Sequence, residues 1–116
     1  MITVSFENIR YKDGFVKVLP FLSFSVTVEG HALWGIKGND ALCAAVSALS
    51  QTMILTLGST KGIKLKVEQR DGFLKAEVKL LEEIHVERTE VILEFFLRGI
   101  AELAIIDSNA LAVTFG

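Results

Sequence analysis

Two alternating stretches on either side of Asp71-Gly72 constrain the fold of this chain more than any other feature. Apolar and polar residues alternate in KGIKLKVEQR before the pair and in FLKAEVKLL after it. Such alternation predicts strands with one buried and one solvated face, and Asp-Gly favours the two-residue turns of hairpins. The sequence therefore predicts an antiparallel hairpin in a sheet with one covered face.

Further strands are predicted nearer the ends of the chain. Residues 2–6 (ITVSF) are rich in β-branched side chains, and Asp13-Gly14 would turn the chain into a return strand, giving a first hairpin. Residues 15–30 are extended in character, with a bend or an edge position expected at Pro20 and clean alternation just before Gly30. A last strand is predicted in ALAVTF, residues 110–115.

Two helices are predicted between these strands. The first runs from Asp40 to Gly58; it is apolar nearly all round and should lie in the core or against a partner chain. Residues 41–60 carry no charge and are about long enough to span a bilayer, but serines and threonines interrupt them, which favours a domain helix. The second helix is predicted over residues 89–104, capped by Thr89, with an apolar face of Val91, Ile92, Phe95, Phe96, Ile100 and Leu103.

The element order is strands, helix, strands, helix, strand. This order predicts a two-layer α+β domain with a largely antiparallel sheet, and 116 residues are enough for one domain spanning residues 1–116. A net charge of −2 argues against direct binding of nucleic acid or an anionic membrane. A mean hydropathy of +0.47 is high for a small monomer, so we expect a homodimer.

The cysteine count, the N-terminal pattern and the spacing of potential metal ligands lead to expectations about cellular location and cofactors. One cysteine excludes an internal disulfide, and the first residues do not have the pattern of a signal peptide, so we expect a cytoplasmic protein. No cluster of Cys, His and carboxylates has metal-ligand spacing, and we predict neither a metal nor another cofactor.

The segment GHALWGIKGNDALCAAVSAL, residues 30–49, holds the chemistry-bearing residues. If Asp40 caps the first helix, Cys43 lies in its first turn, where the macrodipole lowers the pKa of a thiol. A helix end contributes only ~0.3–2 kcal/mol, so strong activation needs a base nearby. His31 is the candidate, because a loop containing Gly35 and Gly38 can fold back to bring imidazole and sulfur together.

Each of these residues also has a purely structural interpretation. Cys43 could be a small buried hydrophobe, and His31 could bond a backbone carbonyl. Ser47, one turn beyond the cysteine, could line a pocket or bond its own helix. Trp34 could grip an aromatic substrate or pack the loop onto the helix. His85 is a competing base, although its charged neighbours favour a solvated strand end.

A family resemblance favours the catalytic over the structural interpretation of Cys43 and His31. The segment resembles the signature of the bacterial ribosomal-processing cysteine proteases in Gly30-His31-Ala32, an aromatic at Trp34, Gly38, Asp40 and CAAVSAL at residues 43–49. The resemblance implies that His31 is the general base and Cys43 the nucleophile, with Asp40 and Ser47 at recurrent motif positions. Gly30, Trp34 and Gly38 would support or contact the substrate.

The same resemblance implies a substrate. It would be the N-terminal extension of the precursor of large-subunit ribosomal protein twenty-seven, cut shortly after paired phenylalanines. The loop of residues 32–39 would then order over the bound peptide. The alternative is a non-catalytic dimeric module of ribosome assembly that only holds a peptide.

Overall fold

The computed structural model describes residues 1–18, 20–30 and 41–116 in full, and residues 39–40 by their backbone. Helices and strands follow one another in the order β1 (Ile2–Glu7), β2 (Arg10–Lys12), β3 (Phe15–Lys17), β4 (Ser23–Gly30), α1 (Asn39–Gly58), β5 (Ile63–Arg70), β6 (Phe73–Leu80), α2 (Val86–Ile106) and β7 (Leu111–Phe115). A single 3₁₀ turn, Glu83–His85, precedes α2.

In the described part of the chain, five strands form one sheet in the order β5-β6-β4-β1-β7. Every neighbouring pair is antiparallel except β1 and β7, which run parallel. Alternate strand residues such as Val4, Val26 and Val78 lie in the same buried cluster as Leu57 of α1 and Leu93 of α2. The two helices therefore cover one face of the sheet, which confirms the two-layer α+β architecture.

The Asp71-Gly72 hairpin is confirmed. Strands β5 and β6 pair from Arg70 opposite Phe73 to Ile63 opposite Leu80. The turn also has the glycine that it requires, because Gly72 has a φ of +70°.

The first hairpin differs from the prediction. The Asp13-Gly14 turn has positive φ at both residues, as a type I′ turn requires, but it joins β2 to β3 in a separate two-stranded ribbon. Strand β1 pairs with β4 and β7 instead. Asn8, with a φ of +62°, redirects the chain directly after β1. The bend at Pro20 is confirmed, since Phe21 N–H donates to Val18 O across it at 3.2 Å.

Helix α2 begins at Val86, so the prediction that Thr89 caps it is wrong. Thr89 is fully buried inside the helix, and its Oγ1 donates to His85 O at 2.8 Å. The predicted face is also partly wrong, because Val91 and Phe95 are 58% and 72% exposed. The buried residues are Val86, Thr89, Leu93, Phe96, Leu97 and Ile100.

Helix α1 buries one face rather than its whole circumference. The buried residues recur at helical spacing, whereas Leu55 on the outer surface is 71% exposed. By length and composition the segment Ala41–Gly58 could also cross a membrane. Its packing into the core and against α2 is that of a domain helix. The residues of the buried face are Leu42, Val46, Ser50, Met53 and Leu57.

Candidate active site

A cavity of about 210 Å³ opens where the first half of α1 meets one end of the sheet. Its walls come from the start of β1, the end of β4, helix α1 and the tip of the β5–β6 hairpin. The wall therefore joins residues that are far apart in sequence. They are Ile2, Val28, Gly30, Cys43, Val46, Ser47, Ser50, Gln51, Gln69, Arg70, Gly72, Phe73 and Leu74.

Cys43 is half-buried and lines this cavity. Helix α1 begins at Asn39, so the helix starts before Asp40 and the expected position of Asp40 as N-cap is wrong. Cys43 is the fifth helical residue and lies at the start of the second turn. The field of a helix end declines beyond the first turn, so its effect at the sulfur is smaller than the sequence predicted.

Gly30, at the end of β4, fixes the backbone at the start of the segment that leads to α1. Its backbone N–H donates to Gly72 O at 2.8 Å, which ties the end of β4 to the hairpin tip. Its φ is +100°, and a Cβ at this position would collide with the carbonyl oxygen of Met1. Only glycine fits both demands, because L side chains avoid this backbone region. Gly30 thus sets the direction in which the chain leaves the cavity wall.

The hairpin tip supplies a wall that sequence reasoning missed. The Arg70 guanidinium lies over the Phe73 ring, 3.9 Å from its centroid, and both residues line the cavity. This is a cation–π contact, in which the ring face attracts the guanidinium. The Asp71-Gly72 turn could be read from the sequence, but its place beside Cys43 depends on strand order, which no local pattern reveals.

Helix α1 contributes a row of residues at four-residue spacing. Cys43, Ser47 and Gln51 all line the cavity, as expected for positions on one face of a helix. Ser47 is exposed, whereas the Oγ of Ser50 is buried and donates to Val46 O at 2.7 Å. Ser47 therefore lies on the cavity wall, where its side chain is accessible.

Four predicted site residues fall where the structure gives no side-chain description. His31, Trp34 and Gly38 lie outside the described residues, as does the side chain of Asp40. The expected ordering of residues 32–39 over a peptide lies outside them too. The two described ends of this segment, Gly30 and α1, both border the cavity.

His85 lies in the 3₁₀ turn before α2, and the expected strand end is wrong. Its ring packs directly on Gly62, in the connection between α1 and β5. It is not among the described residues that line the cavity with Cys43. Within the described part of the chain, no three His, Cys, Asp or Glu residues are grouped so as to hold a metal ion.

Comparison with known proteins adds an independent observation. The family model of cysteine protease Prp matches residues 1–110, nearly the whole chain. The chain belongs to this family of cysteine proteases. A search of curated proteins finds no match.

Solved structures show the same fold as this Prp-family chain. The S. aureus ribosomal processing protease Prp with a covalently linked product peptide gives a TM-score of 0.73 at 19% identity, with 100% of both chains covered. The S. aureus protease with a substrate peptide gives 0.71 at 18% identity, again over 100% of both chains. SMU.848 from Streptococcus mutans gives 0.67 at 27% identity, over 99% of this chain and 93% of that one.

Proposed function

We propose that this Prp-family protease processes a ribosomal protein precursor, with Cys43 as its nucleophile. The observation that carries the proposal is the position of Cys43. A cysteine protease needs a reactive sulfur, and the chain contains one cysteine. That cysteine lies near the start of α1 and lines the cavity. A cysteine with a purely structural role needs no such access.

His31 is the proposed general base. It follows Gly30 directly in the chain, and Gly30 is held on the cavity wall by its hydrogen bond to Gly72 O. His31 would take the proton of the Cys43 thiol, and the sulfur would attack the scissile carbonyl carbon to give a tetrahedral intermediate. Collapse of the intermediate breaks the C–N bond, with the proton passing to the leaving amine. Water then hydrolyses the acyl-enzyme and regenerates the thiol.

The oxyanion of the tetrahedral intermediate also needs donors. The first N–H groups of a helix have no partner within it, and in α1 these include the N–H groups of residues 39–41, shortly before Cys43. In this proposal they stabilise the negative charge that develops on the carbonyl oxygen. Asp40 and Gly38 then act through the backbone that presents these groups.

The proposed substrate is the N-terminal extension of the precursor of large-subunit ribosomal protein twenty-seven. The S. aureus relatives are ribosomal processing proteases with product and substrate peptides bound. The cavity walls supply apolar surface from Val28, Val46, Phe73 and Leu74. Such surface suits an aromatic substrate side chain next to the cut, with Trp34 as a further contact.

The decisive experiment incubates the protein with a synthetic peptide of this ribosomal extension and identifies the fragments by mass. We expect one cut after the aromatic pair. Cys43→Ala should abolish cleavage but still bind the peptide, and His31→Ala should lower kcat by at least about 100-fold, the contribution of a general base. His85→Ala is the matched control and should cut at the wild-type rate.

Other outcomes would reassign the roles. Loss of cleavage in His85→Ala but not in His31→Ala would make His85 the base. Full biological activity of Cys43→Ala in cells would favour the non-catalytic peptide-holding module of ribosome assembly.

We also propose that the protein works in the cytoplasm, where ribosomal proteins are made, and that it works as a homodimer. The support for a dimer is the outer surface of the helical layer. Leu55 of α1, Val91 and Phe95 are all more than half exposed there, as is Ile106 near the end of α2. A second copy that covers these side chains would remove apolar surface from water.

A further inference from the structure

The open edge of β5 leads into the cavity that contains Cys43. Strand β5 is eight residues long and ends the sheet order, so among the described strands only β6 pairs with it. An edge strand presents a row of unpaired N–H and C=O groups that can pair with another extended chain. At its last two residues, Gln69 and Arg70, β5 forms part of the cavity wall.

Hydrogen bonds at the far end of the hairpin show which groups face the open edge. Leu81 N–H donates to Gly62 O at 2.9 Å, whereas Leu80 N–H donates away from β5, to Leu22 O at 2.8 Å. Gly62 and Leu81 are therefore a hydrogen-bonded pair. Hydrogen-bonded and non-hydrogen-bonded pairs alternate along an antiparallel ladder, so the next pair, Ile63–Leu80, is non-hydrogen-bonded, and the backbone N–H and C=O of Ile63 point away from β6. Counting in steps of two from Ile63, the outward-facing groups belong to Leu65, Val67 and Gln69.

The side chains of these residues face the helical layer. Leu65, Val67 and Gln69 stand opposite Val78, Ala76 and Leu74, which are all buried. Cross-strand partners share one face of a sheet. Helix α1 covers Leu65 only in part, and Val67 remains 39% exposed. A strip of apolar surface therefore runs along the edge beside α1.

The other side of this strip is the face of α1 that carries Cys43, Ser47 and Gln51. These residues share the cavity with Gln69 of β5. Near the far end of α1, only 3.4 Å separates Leu65 Cδ2 from the position that a Cβ on Gly58 would take, so the helix and the strand stay close there. The strip thus leads at one end into the cavity that Cys43 lines, and α1 lies beside it.

We propose that the peptide substrate binds as an added strand on the open edge of β5. The peptide backbone would form hydrogen bonds with the backbone groups of Leu65, Val67 and Gln69. The peptide side chains on the helix side would pack on Leu65 and Val67. The inference rests on the proposed function, because it uses Cys43 as the reacting end of the strip. The opposite edge, β7, contributes no residue to the described cavity wall.

Lysines on the other face argue that the occupant is a single peptide rather than the same edge of a second copy. Lys64 and Lys66 are exposed on the solvent face of β5. Two copies of this edge placed side by side would bring these ammonium groups together, a common protection against edge-to-edge association. A short peptide without such charges can pair without this repulsion.

Val67→Pro tests the backbone pairing. The Val67 N–H faces the open edge, so proline removes this outward donor without removing a bond to β6. Val67→Ala is the matched control, because it trims the side chain and keeps the N–H. Net hydrogen-bond energies predict that Val67→Pro binds the ribosomal extension peptide about tenfold more weakly than Val67→Ala. Thermal unfolding of both variants checks that the hairpin is intact.

The peptide can be altered as well. In a series carrying one backbone N-methyl group at a time, we expect binding to fall at every second position, since only alternate N–H groups face β5. Binding is measured by fluorescence polarisation on the Cys43→Ala background, and cleavage on the wild-type background.

These readouts separate the two proposals. Equal binding by Val67→Pro and Val67→Ala together with no alternation in the N-methyl series would overturn edge pairing, even if the wild type cuts the peptide. Alternation in binding without any cleavage would support edge pairing and contradict the proposed protease substrate. A peptide that is neither bound nor cut would overturn both.

Discussion

At the scale of single residues, Gly30 links backbone geometry to the site. It combines a positive φ, a hydrogen bond to the hairpin tip and close contact with the Met1 carbonyl. The residue that follows it is His31. Any movement of Gly30 therefore changes the starting point of the segment that carries the proposed base.

We expect Gly30→Ala to lower the free energy of unfolding by about 2–4 kcal/mol, from a strained φ plus the clash with Met1. Gly14→Ala is the matched control: its φ is +82°, but nothing lies within 4 Å of the added Cβ. It should cost only about 1 kcal/mol. Urea unfolding measures both. Equal losses would show that Met1 moves aside freely and that only the backbone angle matters.

At this scale the sequence points to the proposed reacting groups but not to the residues that surround them. The Gly-His…Cys segment could be found because its residues are contiguous, and Cys43 and Ser47 share a helix face by simple spacing. Arg70, Gly72 and Phe73 could not be found, because β5 and β6 reach the cavity only through the register of β6 on β4. Strand order is a property of the whole sheet.

At the scale of elements, the β2–β3 ribbon is held against α2 by two carboxylates. Val18 N–H donates to Glu90 Oε2 at 2.9 Å, and Val16 N–H donates to Glu94 Oε1 at 3.1 Å. The buried side chains of Val16 and Val18 join the core at the same place. The two glutamates of α2 thus accept backbone hydrogen bonds that a neighbouring β-strand would otherwise accept.

This docking was not predictable from local patterns. Asp13-Gly14 correctly marks a turn, but a turn does not specify which strand continues into the main sheet. The face of α2 was misjudged for a related reason, since Val91, Leu93, Phe95 and Leu97 are all apolar. Periodicity does not choose the buried face when apolar residues extend beyond one side of the helix, and the packing of sheet, ribbon and α1 decides it.

We expect Glu90→Ala and Glu94→Ala each to lower the free energy of unfolding by about 1–3 kcal/mol, since each leaves a backbone N–H, that of Val18 or of Val16, without its acceptor. Glu90→Gln keeps an acceptor oxygen and should recover part of the loss. Glu102→Ala, on the same helix and exposed, is the matched control and should change stability by less than about 0.5 kcal/mol. Similar losses in all three alanine variants would mean that the carboxylates do not hold the ribbon.

At the scale of the whole molecule, the helical layer covers the sheet on one side and leaves its own outer surface apolar. Phe95 is 72% exposed in the middle of α2, and Leu55 is 71% exposed in the last turn of α1. Aromatic side chains in such positions often contribute most of the binding energy of an interface. The cavity with Cys43 opens between α1 and the end of the sheet, so covering the outer helical surface is compatible with access for a peptide.

We therefore expect the wild-type protein to sediment at twice the 12.7 kDa mass of one chain, and Phe95→Glu to shift it to the mass of one. A charge in the middle of the proposed interface would have to lose its hydration without a partner. Leu81→Glu is the matched control, because Leu81 is 53% exposed directly after β6 and belongs to neither helix. It should leave the sedimenting mass unchanged. A wild-type protein that sediments as one chain at micromolar concentration, or a Phe95→Glu variant that stays dimeric, would contradict this assignment of the interface.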